Sequence, residues 1–126
     1  MSEPPGRRVV SIGAPSEFQR VISTGARMYG RFVLLFGLRS DAETIRLGVS
    51  ASGKAGTNVV RNRLKRLLRE AVRREAGVLG QGFDLVLIAK ASAVGHGLAD
   101  ITADVRGLFA RMASQSAPQG GAGPKC

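Results

Sequence analysis

Three stretches of the chain have hydrophobic patterns typical of β-strands. Residues 44–52 alternate, with small or polar side chains on one face and apolar side chains on the other, namely Ile45, Leu47, Val49 and Ala51. This alternation predicts a half-buried strand. Residues 31–39 and 83–90 are apolar at almost every position, which predicts strands covered on both faces, or for 31–39 one face turned to a cleft. The short turn at 40–43 predicts that the strands on either side of it are antiparallel neighbours.

A short helix is predicted before these strands, at residues 16–24. Its apolar side chains fall on one side and are most simply core residues: Phe18, Val21 and Ile22. Ser16 followed by Gln19 has the spacing of a capping box. Gly25 is suited to end the helix, because glycine accepts the backbone conformations that follow a last turn.

A second amphipathic helix is predicted near the carboxyl terminus, at residues 98–113. Its apolar side consists of Leu98, Ile101, Val105, Leu108, Phe109 and Met112. Residues 1–13 contain proline and glycine without periodicity, so we expect a flexible N-terminus. Residues 114–126 have the composition of a disordered tail. A single domain is therefore expected over residues 14–113.

The longest amphipathic segment spans residues 56–74, GTNVVRNRLKRLLREAVRR. At about 100° per residue, one face collects the apolar side chains Val60, Leu64, Leu67, Leu68 and Ala71, with Val72 at its edge. The opposite face carries Asn62, Lys65, Arg66, Arg69 and Arg73, while Arg61 and Arg63 flank the apolar arc. Thr57 or Asn58 is expected to cap the helix, and Gly77 and Gly80 to end it.

The basic face of this helix has two interpretations. A solvated surface is the ordinary one, but such a face usually mixes signs, because opposite charges one turn apart stabilise a helix. Here Arg66 follows Asn62, and Arg73 follows Arg69, with no acidic partner interposed. A polyanion would relieve the repulsion between like charges. The basic residues also begin in the first turn, where free backbone N–H groups favour a phosphate. We therefore expect a polyanion-binding face.

The overall charge supports this expectation. The chain has 126 residues, a formal net charge of +10 and a pI near 11.4. This length suits one domain, and the charge favours a nucleic acid or an anionic membrane surface as partner. No apolar run reaches the about 18 residues of a membrane span, and residues 1–8 lack the core of a signal peptide. We expect a soluble cytoplasmic protein, without an intrachain disulfide because Cys126 is the single cysteine.

Residues 48–54 also match the glycine and lysine spacing of a P-loop. Ala55 stands where a P-loop has the hydroxyl that binds magnesium, and Gly48 lies inside the alternating strand. The predicted helix begins several residues after the lysine, rather than directly at it. We therefore interpret Lys54 as a cation in the loop before the basic helix. A nucleotide-dependent enzyme remains a minor alternative, which predicts ATP or GTP binding lost on Lys54→Ala.

His96 is the single histidine, and Asp100 lies four residues after it. A catalytic pair is conceivable, but a lone histidine in a glycine-flanked loop is usually exposed, and we interpret it so. Asp100 and Asp104 lie near the start of the last helix, where carboxylates interact favourably with its dipole. The sequence has no paired carboxylates, catalytic triad or metal cluster that would indicate chemistry of its own.

The segment 61–69, Arg-Asn-Arg followed by Leu-Lys-Arg and Leu-Leu-Arg, resembles the RNR motif of the bacterial ribonuclease P protein subunit. Residues 17–25 resemble that family's Glu/Asp-Phe-x-x-Val pattern ending in glycine. Residues 46–52 resemble its strand of the type Arg-x-Gly-x-Ser-x-Ser, and Lys54 matches a lysine of its next loop. The resemblance covers about residues 14–112, with its segments in the family's order.

The predicted order of helix, two strands, long helix, strand and helix indicates an α/β (α+β) two-layer sandwich. Pattern alone leaves the strand order open, and a strand–helix–strand unit has a right-handed crossover by default. The resemblance instead implies a small mixed sheet with three helices and a left-handed β-α-β crossover, as in the ribosomal-protein-like fold of that family. It also implies a short extra strand, for which residues 26–29 are the only candidate.

The resemblance implies two sites. The RNA subunit of the enzyme is expected to contact Lys54, Arg61, Asn62, Arg63, Lys65, Arg66 and Arg69. The 5′ leader of precursor tRNA is expected in a cleft formed by Phe18, Ile22, Phe36, Arg46, Ser50 and Ser52. Ile22 stands where an aromatic residue is more usual in the family. Leu35 would replace Phe36 if the other face of their strand lines the cleft.

The function that the resemblance implies is that of the protein subunit of ribonuclease P, an RNA-based endoribonuclease that removes the 5′ leader of precursor tRNA. The RNA subunit is the catalyst and requires Mg²⁺, so this chain is expected to supply no catalytic residue and to bind no cofactor tightly. A 1:1 complex with the RNA subunit is expected, with no membrane and no small-molecule substrate. A general RNA-binding or ribosome-associated module, without processing activity, is the alternative.

Overall fold

The computed structural model describes residues 8–80 and 82–115. The strands are β1 (Val9–Ser11), β2 (Ala26–Tyr29), β3 (Val33–Arg39), β4 (Ile45–Ala51) and β5 (Phe83–Ala89). The helices are α1 (Pro15–Thr24), α2 (Asn58–Glu75) and α3 (Leu98–Ser114). The three helices and the strands β2 to β5 confirm the predicted elements. Residues 116–126, which include Cys126 and most of the predicted tail, lie outside the described residues.

The five strands form one mixed sheet in the order β1-β4-β5-β3-β2. β5 pairs parallel with β4 on one side and antiparallel with β3 on the other. The prediction that β3 and β4 are neighbours was therefore wrong, although their directions are opposite. The connection at 40–43 passes the start of β5, where the Ser40 N–H donates to the Gly82 carbonyl at 3.1 Å. β5 is the most apolar strand, and its central position satisfies its backbone and covers both of its faces.

Strand β1 lies in the segment where we expected no regular structure. Val9 pairs with Ile45 at the edge of the sheet, parallel to β4. The Ile45 N–H donates to the Arg8 carbonyl at 2.8 Å, and the Ile12 N–H to the Leu47 carbonyl at 3.0 Å. Three residues are too few to show an alternation, so this strand forms because it pairs with β4 and could not be predicted from its own pattern. Residues 1–7 lie outside the described residues.

The two faces of the sheet carry separate hydrophobic clusters. The larger cluster joins one face of β3, β4 and β5 to α2 and α3, through residues such as Leu35, Ile45, Leu64, Leu85 and Phe109. The smaller cluster joins the other face to α1, through Val21, Phe36, Leu38 and Val86. Consequently α1 covers part of one face, while α2 and α3 cover the opposite face.

The ends of the helices partly follow the predicted caps. Thr57 is the N-cap of α2, and its Oγ1 accepts from the Val60 N–H at 3.4 Å. The capping box predicted at Ser16 was wrong, because Ala14 is the N-cap of α1 and Pro15 occupies the first turn. Proline fits that position because its missing N–H would have no partner there. A 3₁₀ turn follows α2 and ends at Gly80, whose φ of 74° favours glycine.

Asp104 in α3 makes a long-range contact that helix-dipole reasoning did not predict. Its Oδ1 accepts from the Arg31 N–H at 3.0 Å, and its Oδ2 from the Phe32 N–H at 2.8 Å. A side chain on Gly30 would collide with this carboxylate, since a Cβ there would lie 2.6 Å from Oδ2. Asp104 therefore ties α3 to the segment that precedes β3.

Candidate nucleic-acid interface

The first half of the outer face of α2 carries basic and polar side chains without partners in the described part of the chain. Leu64, Leu68 and Ala71 are buried against the sheet, which turns the polar side of the helix to solvent. Asn62, Arg66 and Arg69 are exposed, and Lys65 is half-buried. None of these four side chains has a hydrogen bond or ion pair to another residue in the described ranges 8–80 and 82–115. Their donors are therefore available to an external anion.

Arg61 and Arg63 are held in place by backbone carbonyls of two neighbouring segments. The Arg61 Nη2 donates to the Ala51 carbonyl at the end of β4, at 3.2 Å. The Arg63 Nη2 donates to the His96 carbonyl, at 3.3 Å. A guanidinium has five N–H donors in a fixed fork. Each arginine thus uses one donor to hold its side chain in place, and other donors remain available to a phosphate.

The unpaired part of the basic face ends at Arg69. Arg73 and Arg74 both pair with Glu70, at 3.0 and 3.1 Å. The prediction that Arg73 has no acidic partner was wrong, because Glu70 reaches it across one turn. The first half of α2 therefore carries the free positive charge, and the second half is largely neutralised.

Lys54 lies at one end of this surface, in a 3₁₀ turn between β4 and α2. The Ser52 Oγ accepts from the Lys54 backbone N–H at 3.1 Å, while the lysine side chain is exposed. Gly48 lies within β4, and α2 begins only at Asn58. A P-loop requires its glycines in the loop and its lysine at the start of the helix, so residues 48–54 do not form a P-loop.

The opposite face of the sheet forms a partly open cleft beside α1. Phe18 and Ile22 are partly buried against the smaller cluster. The Phe18 ring lies over the backbone of Gly48, and a Cβ at Gly48 would be 2.6 Å from the ring. A cavity of about 370 Å³ borders Phe18 and is lined further by Ile12, Gly13, Ala14, Pro15 and Gln19. The cleft thus combines a half-buried aromatic ring with a nearby cavity.

A cross-strand row continues the cleft beyond α1. Ser50 pairs with Ile88, Ile88 with Leu34, and Leu34 with Tyr29. The first three are half-buried and Tyr29 is 59% exposed. Leu34, Ile88 and Tyr29 were not among the predicted cleft residues. Their positions follow from strand pairing, which sequence reasoning had assigned wrongly.

Phe36 and Leu35 lie on opposite faces of β3. Phe36 belongs to the α1 face, and Leu35 to the cluster under α2 and α3. Leu35 therefore cannot replace Phe36 in the cleft. However, Phe36 is only 4% exposed, and the Arg27 guanidinium lies over its ring at 5.6 Å from the centroid. Phe36 supports the cleft from below and does not offer a free ring face.

Arg46 lies at the far end of the cleft, in a cluster of charges with Asp84. Its Nε and Nη2 donate to the two carboxylate oxygens of Asp84, at 3.1 and 2.9 Å. Arg20 of α1 also pairs with Asp84 at 3.0 Å, and Glu17 pairs with Arg46. The hydrogen bond to Asp84 is the main reason that the pKa of Arg46 is raised above its ordinary value.

Sequence reasoning missed Asp84 and Arg20 as partners of Arg46. The sequence did indicate that Asp84 has a charged partner. Asp84 is a single carboxylate within an otherwise apolar strand, and a buried charge requires a partner. Asp84 is 5% exposed, and β5 places it beside β4, where Arg46 is its cross-strand partner. The cluster fixes α1 against the sheet and so sets the position of Phe18.

The predicted site residues therefore divide into two surfaces on opposite faces of the sheet. The cationic surface contains Lys54, Arg61, Asn62, Arg63, Lys65, Arg66 and Arg69. The cleft contains Phe18, Ile22 and Ser50 on its accessible walls, with Phe36 below and Arg46 in the ion cluster. Ser52 instead caps the 3₁₀ turn of Lys54 and lies between the two surfaces.

Comparison with known proteins identifies the family of this chain. The chain matches the Ribonuclease P family model over residues 7–113. The chain belongs to the ribonuclease P protein family. It is 37% identical over 83 residues to a Ribonuclease P protein component of Caldanaerobacter subterraneus subsp. tengcongensis, covering 66% of this chain and 72% of that protein. As a member of this family, the chain is a protein component of the ribonucleoprotein ribonuclease P, which acts in tRNA processing.

Two solved structures of the family share the fold. The RNase P protein of Staphylococcus aureus has a TM-score of 0.69 and 25% identity, covering 82% of this chain and 94% of that one. The RNase P protein of Thermotoga maritima has a TM-score of 0.67 and 26% identity, covering 75% of this chain and 89% of that one. These similarities confirm the α+β class, with a mixed five-stranded sheet and three helices.

Two further findings limit the chemistry of the described part of the chain. No helix within residues 8–80 and 82–115 is long and apolar enough to cross a membrane. In the same ranges, no three side chains of His, Cys, Asp or Glu are grouped so that they could hold a metal ion. The buried carboxylate Asp84 is already occupied by two arginines.

Proposed function

We propose that this chain binds the RNA subunit of ribonuclease P through the free cations of α2 and Lys54, and the 5′ leader of precursor tRNA through the cleft beside α1. The observation that carries this proposal is the placement of α1 and α2 on opposite faces of one sheet. One chain can therefore contact both RNAs at once. The proposed assembly is a 1:1 complex with the RNA subunit in the cytoplasm.

The contacts with the RNA subunit are mainly to phosphates. Structured RNA offers its backbone and shape more readily than its base edges. Six cations line this surface: Lys54, Arg61, Arg63, Lys65, Arg66 and Arg69. Each phosphate contact releases condensed counterions, so six contacts would lower the affinity by roughly 10³-fold between about 50 and 200 mM salt.

The leader is held by stacking and apolar contacts. Phe18 offers the exposed part of its ring, Ile22 adds an apolar wall, and the row from Ser50 to Tyr29 extends the floor across the sheet. Single-stranded RNA binds such surfaces without strong sequence preference, because every base has a π-face. Arg46 acts as a positioning residue, since its donors are engaged by Asp84 and Glu17.

The catalyst in this proposal is the RNA subunit, which uses Mg²⁺. This chain contributes binding and orientation of the substrate, and no side chain of it takes part in the cleavage step. In this proposal Mg²⁺ is held by the RNA subunit, where it would neutralise phosphate charge.

The test is 5′ cleavage of a precursor tRNA by a bacterial ribonuclease P RNA at low Mg²⁺, with and without this chain. We expect strong stimulation, lost in the variant R61A/R63A/R66A. The matched control R73A/R74A/R106A removes the same charge from arginines that already pair with Glu70 and Glu75, and should retain stimulation. Tight RNA binding without stimulation of cleavage would overturn the proposal in favour of a general RNA-binding module.

A further inference from the structure

A second cavity lies next to the cationic surface, between the start of β3 and the start of α3. Its volume is about 440 Å³, and it is lined by Arg31, Phe32, His96, Asp100, Ala103 and Asp104. Pockets that bind small ligands have volumes of about 300–1,000 Å³, and this cavity falls within that range. None of these residues belongs to the two sites described above.

The cavity adjoins the cationic surface, and one hydrogen bond links the two. The Arg63 guanidinium donates to the backbone carbonyl of His96 at 3.3 Å. An RNA strand whose phosphates are bound by Arg63 therefore passes the mouth of this cavity. The occupant is consequently expected to be part of the same RNA.

One wall of the cavity is a pair of rings in tilted contact. The centroids of Phe32 and His96 are 4.3 Å apart, with an angle of 36° between the ring planes. Phe32 is only 8% exposed, whereas the His96 side chain is 40% exposed. The imidazole thus rests on a buried aromatic support and presents its remaining surface to a ligand. A partly exposed ring of this kind can stack on a nucleobase.

The polar groups of the cavity suit a base edge better than a phosphate. Asp100 is 57% exposed, and its Oδ2 is 2.9 Å from the His96 Nδ1. The other oxygen, Oδ1, is free to accept from a ligand N–H. A carboxylate at this place repels a phosphate but accepts hydrogen bonds from a base. Asp104 also lines the cavity and is held in place by the backbone, because each of its oxygens accepts from one N–H group.

Arg31 supplies donors on another wall. Its guanidinium lies 5.5 Å from the centroid of the Phe32 ring and has no hydrogen-bond acceptor among the described residues. Guanine presents two adjacent donors, N1–H and N2–H, on one edge, and the acceptors O6 and N7 on another. It therefore matches a cavity with a carboxylate and a guanidinium. We propose that this cavity binds an unpaired guanine base of the RNA subunit, stacked on His96.

This inference rests on the proposed function, because it requires the RNA subunit at α2. Its first test is the affinity of the full chain for a bacterial ribonuclease P RNA at several salt concentrations. His96→Ala keeps the backbone carbonyl that positions Arg63, so we expect about a tenfold loss of affinity with an unchanged salt slope, as for one lost stacking contact. His96→Phe should restore the affinity, and Arg63→Ala should reduce the salt slope.

The second test identifies the base. Kethoxal modifies the N1 and N2 positions of unpaired guanines, so the RNA is probed alone and saturated with wild-type chain, His96→Ala or Asp100→Asn. We expect one guanine that is protected by the wild-type chain and reactive with both variants. Unchanged affinity of His96→Ala, or no guanine with this behaviour, would overturn the inference. Absence of RNA binding by the wild-type chain would instead overturn the proposed function.

Discussion

The ring of Phe18 lies against the backbone of Gly48, at a distance that only glycine permits. A Cβ at residue 48 would be 2.6 Å from both Cδ2 and Cε2 of Phe18. Gly48 is in the middle of β4, so its Cα position is set by hydrogen bonds to β5. The strand therefore determines where the aromatic residue of α1 can sit, and with it the shape of the cleft.

Gly48→Ala is expected to displace Phe18 and to weaken leader binding. The affinity of the holoenzyme for precursor tRNA should fall about tenfold, the size of one stacking contact, while affinity for mature tRNA without a leader should not change. The comparison is a binding titration with both RNAs. Gly107→Ala is the control, since a Cβ at that position meets nothing within 4 Å. Equal losses with both RNAs would contradict a role confined to the leader.

Arg66→Ala is expected to lower both the affinity for the RNA subunit and its salt dependence. Arg66 is exposed and has no partner in the described part of the chain, so its loss removes one phosphate contact. The slope of log K against log salt should decrease by about 1. Arg73→Ala, on the same helix but paired with Glu70, should change the slope much less. Equal slopes for wild type and Arg66→Ala would exclude a phosphate contact at this residue.

Asp84→Asn is expected to destabilise the fold by about 2 kcal/mol. The substitution removes the charged partner that Arg20 and Arg46 share and leaves Arg46 paired with Glu17 alone, beside a buried amide. The loss is smaller than for a fully buried pair because both arginines are about one third exposed. Urea denaturation measures the change. Glu70→Gln, which affects an exposed helix pair, should cost less than about 1 kcal/mol. A change no larger than that of the control would show that the cluster does not hold α1.

The contribution of Arg46 to stability should be independent of pH across the neutral range. Its pKa is raised in the folded state, so its stabilisation is fully present below the pKa of the unfolded chain and is lost only when the pH rises through the folded-state value. Both lie far above neutrality. The free energy difference between wild type and Arg46→Ala, measured by urea denaturation at about pH 6 and pH 8, should therefore be the same. A difference that changes between these two pH values would contradict this account.

Gly82→Ala is expected to be the most damaging glycine substitution. A Cβ at this position would lie 1.7 Å from the carbonyl oxygen of Ala42, a backbone atom that cannot move without shifting the 40–43 connection. We expect a loss of about 3 kcal/mol or more in unfolding free energy. Gly77→Ala, where a Cβ meets nothing within 4 Å, should change stability by less than about 1 kcal/mol. A stable Gly82→Ala variant would mean that this connection takes another path.

Much of the cationic surface could be predicted from the sequence, because a helix repeats every 3.6 residues and its neighbours in space are near in sequence. The periodicity placed Leu64, Leu68 and Ala71 inward, and Asn62, Arg66 and Arg69 outward, as the structure has them. The alternation of β4 likewise predicted that Ile45 and Leu47 lie on the opposite face of the strand from Arg46 and Gly48, as they do.

The cleft depended on information that no local pattern contains. Which strands pair is decided by contacts between distant segments, and the insertion of β5 between β3 and β4 set the row from Ser50 to Tyr29. The same insertion placed Asp84 beside Arg46. Phe36 is buried because α1 and Arg27 cover it. The sequence by itself determined which faces are apolar and which are charged, since these follow from periodicity. Only the tertiary structure decided which of those faces meet, because burial and ion pairing depend on partners far away in the chain.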